Sequence, residues 1–242
     1  MRLGKTTSVL FGLASVLLMP VVADAQPTAV MSMENDYARL AVGSDGQVFE
    51  FTDIGSGTDY CRKPTSGPVA VVKIDGKNHP ATKAVYEGER LLLEFGESGL
   101  RAELQITAMP HYFLVEVVEV NTDKLVFVSM PTSLTGAADE PFAACALALN
   151  LNTNVRGIPQ ATSHLWAACY PRFGFVGAKV ALIGCPYEEL RSVMQEVVTG
   201  AEDLPHSPIG GPWALVGPNN FGSYLFDFGS LTEETVDSWI AM

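Results

Sequence analysis

The chain has 242 residues and a formal net charge of −12 with its histidines neutral. An acidic chain repels phosphate backbones and anionic bilayers, so nucleic acid and the membrane surface are excluded as expected partners. The length suits one large domain, since all-β sandwiches commonly run to about 200–250 residues.

The first 25 residues read as a secretory signal peptide. Arg2 and Lys5 give a positive start, Val9 to Leu18 is apolar apart from Gly12 and Ser15, and Pro20 ends any helix. Ala23-Asp24-Ala25 then places small residues where a signal peptidase reads, which predicts cleavage before Gln26. The apolar run falls short of the roughly 20 residues that span a bilayer. A secreted or periplasmic protein is expected, with no membrane association after cleavage. Loss of the leader takes away Arg2, Lys5 and Asp24, leaving 217 residues with a net charge of −13.

Strand signals follow. Tyr37 to Val42 and Gln47 to Thr52 flank Ser44-Asp45-Gly46. Val69 to Ile74 runs into Asp75-Gly76, a hairpin signal because glycine takes a positive φ without steric cost. Lys83 to Tyr86 and Arg90 to Phe95 flank Glu87-Gly88-Glu89. Arg101, Glu103 and Gln105 alternate with Ala102, Leu104 and Ile106, the period of a half-buried strand. Phe113 to Val120 is the next strand. Turn signals about every ten residues point to an antiparallel β-sandwich rather than to βαβ units.

Four later apolar runs suit central strands buried on both faces: Leu125 to Met130, Ala144 to Leu151, His164 to Tyr170 and Lys179 to Gly184. Between Pro186 and Gly200, Leu190, Val193, Met194 and Val197 recur at helical spacing and predict one amphipathic helix. Leu204 to Pro218, rich in proline and glycine, reads as a long ordered loop. Ser230-Leu-Thr-Glu233 is a capping box. It opens a second helix in which Val236, Trp239 and Ile240 share a face. The resulting division is a signal peptide over 1–25, a β-sandwich domain over 26–228, and the start of a helix over 229–242 that points onward to a further domain.

Cys61, Cys145, Cys169 and Cys185 allow three disulfide connectivities in an oxidising compartment. The apolar flanks of Cys145 and Cys185 equally suit free, buried thiols. No metal site and no cofactor are expected, since the cysteines form no Cys-x-x-Cys pair and His79, His111, His164 and His206 lack ligand spacing. The sequence contains no Walker A loop, no Gly-x-Ser-x-Gly and no His-Glu-x-x-His.

Two segments hold candidate ligand-binding residues. In Ala167-Ala-Cys-Tyr-Pro-Arg-Phe-Gly174, Arg172 at a strand end can clamp a carboxylate or sulfate at two points. In Leu204-Pro-His-Ser-Pro-Ile-Gly-Gly-Pro-Trp213, Trp213 offers a stacking face for a sugar ring and His206 a hydrogen-bonding partner for hydroxyls. Trp166, inside an apolar run, is expected in the core.

The stretch from Asn35 to Tyr60, a strand, an Asp-Gly turn, a second strand and a short Asp…Gly…Tyr segment, resembles the opening of galactose-mutarotase-like supersandwich domains. Gly222-Ser-Tyr-Leu-Phe-Asp-Phe-Gly229 and the helix after it look like the passage into a catalytic (β/α) barrel. The resemblance implies a mainly β, supersandwich-like domain with one or two short helices, placed N-terminal to the catalytic domain of a glycoside hydrolase or polysaccharide lyase. It implies carbohydrate as the partner and a downstream barrel as a second one. It carries over no catalytic residue. A free-standing epimerase of mutarotase type, with a histidine acid and a carboxylate base, and a sugar-binding module without catalysis are the alternatives.

Overall fold

The computed structural model describes residues 28–61, 67–121, 125–131 through the backbone, 133–155 and 159–204, together with Thr232 and Asp237. The leader, the loop bearing His206 and Trp213, and most of the terminal helix lie outside the described residues.

The fold is mainly β and every described ladder is antiparallel, as a sandwich requires. Strands β1 (Ala29–Glu34), β2 (Ala38–Gly43) and β3 (Val48–Asp53) form a small sheet. A five-stranded sheet runs β12 (Thr153–Val155), β13 (His164–Cys169), β10 (Leu125–Pro131), β4 (Ala70–Ile74), β5 (Lys77–Pro80). A six-stranded sheet runs β11 (Phe142–Ala148), β14 (Lys179–Pro186), β9 (Tyr112–Val120), β8 (Arg101–Ala108), β7 (Arg90–Glu94), β6 (Lys83–Glu87).

Alternation sends one set of side chains from each strand inward. Leu40, Phe51, Val72, Leu93, Leu104, Phe113, Phe142 and Leu165 come from all three sheets and meet in one buried core. Phe51 packs edge-on against Phe142, with ring centroids 6.2 Å apart. Gly184 makes room for that pair, because a Cβ there would stand 2.5 Å from Phe51 Cζ.

The turns explain the register. Asp75 and Gly76 have φ of 47° and 81°, and Gly88 and Glu89 have φ of 58° and 63°. Two consecutive residues at positive φ match the right-handed twist of a tight hairpin. These turns fix Ile74 opposite Lys77 and Glu87 opposite Arg90.

Helix α1 (Leu190–Gly200) follows a single 3-10 turn at Tyr187–Glu189. It buries Leu190, Val193 and Val197, the stripe that its spacing predicts. These pack on Ala143, Cys145, Leu147, Ala181, Ile183 and Cys185 from the outer face of β11 and β14.

Two expectations need correction, and three strands went unread. The Ala144 to Leu151 run is an edge strand, not a central one: β11 ends the six-stranded sheet and is buried because α1 and a loop cover it. Part of that cover is the segment before β13, where the Thr162 N–H donates to the Ala144 carbonyl at 2.9 Å. Trp166 is half-buried rather than in the core, since its neighbours Leu165 and Ala167 take the inward positions. Strands β1, β5 and β12 give no signal to read in advance: β5 is polar, β12 has three residues, and β1 fully buries Met31 alone. All four cysteines are free thiols and buried.

Candidate functional site

Strands β6, β7, β8 and β9 place three cross-strand rows on the open part of the six-stranded sheet's outer face. The first row is Lys83, Glu94 and Arg101, and the second is Val85, Leu92, Glu103 and Glu119. The third is Glu87, Arg90, Gln105, Glu116 and Lys179. Charges in the first and third rows alternate in sign, which favours directly opposed pairs.

A groove of about 510 Å³ lies over the first two rows, with Lys83, Glu94, Arg101 and Asn121 along one side and Val85 and Leu92 as an apolar floor. Lys83 Nζ meets Glu94 Oε1 at 3.3 Å, and Arg90 Nη1 meets Glu103 Oε2 at 2.9 Å. Among the described residues the Arg101 guanidinium and the Glu119 carboxylate have no side-chain partner. They therefore keep free hydrogen-bonding capacity for a ligand. The ladder slips between Glu103 and Leu104, leaving Val118 without an opposite residue. Such a bulge bends the strand and re-aims its side chains, and here it follows Glu103 facing Glu119 across β8 and β9. Facing residues of this kind have Cβ atoms roughly 5 Å apart.

A second cluster sits where α1 meets the sheet. His111, in the β8–β9 turn, places Nδ1 2.6 Å from Glu196 Oε2 and Nε2 3.6 Å from Asp36 Oδ2. Tyr37 stacks on the imidazole at 5.2 Å between centroids. Burial, and then the Glu189 carboxylate, push the Tyr37 phenol above its ordinary range. A cavity of about 320 Å³ opens farther along α1 between Tyr112, Leu149 and Val197.

Arg172 lies on neither feature. It is exposed in the loop between β13 and β14, with its guanidinium 5.5 Å from the centroid of Phe173. Among the described residues it makes no ion pair. Beside it, Phe173 is 54% and Val176 63% exposed. His206 and Trp213 cannot be placed, being outside the described residues. Sequence reasoning thus missed the groove. The signal was present in Arg101, Glu103 and Gln105, which were read only as the wet side of a strand, while the neighbours that complete the rows follow from register.

Among the described residues no group of three or more His, Cys, Asp and Glu side chains could hold a metal. No described helix is long and apolar enough to cross a membrane. The chain matches no protein-family model and no curated protein sequence.

Proposed function

We propose that this chain is the accessory β-sandwich of an exported carbohydrate-active protein, and that it holds a glycan along the groove over β6 to β9. The observation that carries this reading is the groove: about 510 Å³, with an apolar floor and hydrogen-bonding groups on its rim. Sugar rings present apolar C–H faces and polar edges, and Leu92 with Val85 beneath Arg101, Asn121 and Glu119 offers the complement of both. Binding without turnover is the preferred form of the reading. Glycoside hydrolysis by a carboxyl pair needs both carboxyl groups at the scissile bond, whereas Glu103 Oε2 is engaged by Arg90 Nη1 at 2.9 Å, which leaves Glu119 as the one of the two facing carboxylates without a side-chain partner among the described residues.

The mutarotase-type alternative has one observation in its favour, the approach of His111 to Glu196. Against it, none of the described histidines lines the groove.

Affinity electrophoresis of the mature protein through a panel of neutral and charged polysaccharides tests the proposal. At least one should retard it. Leu92→Arg, which fills the floor, should abolish retardation without changing the melting temperature, and Glu119→Gln should weaken it about tenfold, the loss of one charge-assisted hydrogen bond. Trp213→Ala tests whether the loop beyond Leu204 adds a stacking platform. Retardation that survives Leu92→Arg would move the site elsewhere. Sugar turnover lost on His111→Ala would establish the enzyme reading instead.

A further inference from the structure

Three of the six large apolar residues most exposed among those described gather at one end of the sandwich: Leu151 at 69%, Val176 at 63% and Phe173 at 54%. They belong to two loops held together. Asn152 Nδ2 donates to the Phe173 carbonyl at 2.7 Å, and Asn150 Nδ2 to that of Gly177 at 2.6 Å. Loop tips are ordinarily polar, so an apolar tip anchored this firmly is built to be covered. Its cation is Arg172, which makes no ion pair among the described residues.

The end of the described chain lies near it. After α1 the chain passes Asp203, whose Oδ2 lies 3.0 Å from Lys179 Nζ. The Lys179 carbonyl accepts the Leu149 N–H, two residues before Leu151. Leu204 packs with Leu149 in the cluster beneath α1. Leu204, after which 38 residues remain, therefore lies on the side of the fold that carries the tip. The 25 residues between Leu204 and Ser230 reach far more than the distance needed, at up to about 3.3 Å each. The segment from Ser230 supplies the complement: an apolar face of Val236, Trp239 and Ile240, with Glu233, Glu234 and Asp237 and no Lys or Arg. Asp237, described within this segment, is helical and exposed.

We propose that the tip of Leu151, Phe173 and Val176 is the docking surface for this chain's own segment Ser230–Met242, with Arg172 facing its carboxylates. A short helix of this kind is marginal by itself and gains its stability from such packing. The inference does not depend on what the groove binds.

Hydrogen exchange of the full mature chain, followed by mass spectrometry, tests it. Peptides covering 150–152 and 170–177 should be protected. Trp239→Ala should speed their exchange at least tenfold while leaving 179–186 unchanged. Reciprocally, Phe173→Ser, an exposed substitution that leaves the core intact, should speed exchange over 233–241. Exchange at the tip indifferent to Trp239→Ala, or over 233–241 indifferent to Phe173→Ser, overturns the proposal. So does tip protection that grows with protein concentration, which would assign the surface to a second copy.

Discussion

Under α1, the outer face of the six-stranded sheet presents Ala143, Cys145, Leu147, Ala181 and Ile183, none more than 2% exposed. Across β8, β7 and β6 the same face presents Arg101, Glu103, Leu92, Glu94 and Lys83 around an open groove. Backbone and pleat are shared; side-chain size and polarity are not. Alanine and cysteine let a helix approach closely, and the helix repays the approach by removing apolar area from water at about 25 cal/mol per Å². Charged rows hold their hydration, resist a covering element and leave their hydrogen-bonding groups available. The sequence of outward positions therefore decides which half is structural and which half is open to a ligand.

The sharpest way to break this comparison is to truncate one apolar side chain in each half. Ile183→Ala, beneath α1, should cost about 2–5 kcal/mol, the range for buried aliphatics. Leu92→Ala, on the groove floor, should cost less than about 1 kcal/mol, because water already reaches it. Equal costs in denaturant titrations would show that the open half is also packed.

Thiol chemistry gives the next largest effect. Burial pushes the Cys185 thiol up to about 12 and the Cys145 thiol up to about 11, from an ordinary 9.0. Since the thiolate is the reactive form, alkylation of native Cys185 at pH 8 should be slower than that of an exposed thiol by on the order of a thousandfold. All four cysteines should label at once on unfolding. The unfolded thiols ionise first, so this contribution is complete below about pH 9 and is lost as the pH rises toward 11 and 12. Rapid labelling of Cys185 in folded protein would mean that α1 opens readily.

The smallest effect concerns the turn that leads into β11. The Glu140 carboxylate accepts the Thr135 N–H at 3.0 Å and the Gly136 N–H at 2.9 Å, and these bonds hold its pKa below the ordinary carboxylate range. Its contribution is present above the unfolded value and lost as the pH falls through the lowered folded one. Glu140→Gln should cost about 1 kcal/mol at neutral pH and nothing at pH 2, read from melts across that range.

Much of the fold was legible because most strands alternate or are wholly apolar between turn residues. The Asp75-Gly76 hairpin was readable from two residues, since few others accept that backbone. The helix was readable from the spacing of Leu190, Val193 and Val197. What could not be read was register and neighbour. The sequence shows Glu103 and Glu119 sixteen positions apart, but only the β8–β9 ladder sets them face to face. Nor does the wholly apolar run around Cys145 reveal whether a strand or a helix lies over it, which is why an edge strand passed for a central one. Arg172, read as a candidate clamp for a carboxylate or sulfate, lies beside the exposed Phe173 and Val176 and not on the groove.

The covered edge of β11 has a consequence for how the protein fares while it folds. Ala143-Ala-Cys-Ala-Leu-Ala-Leu149 is uncharged and free of proline, and its outer edge is an unpaired row until the loop carrying Thr162 lies down on it. Gly136 presses that loop in place, since a Cβ there would meet the Ala161 oxygen at 2.8 Å. Until the loop seats, the strand is a template on which an identical strand from another chain can add. Such a chain has to be kept from its own kind until the last loop closes, which makes chaperone occupancy and expression level, more than melting temperature, the quantities that govern its yield.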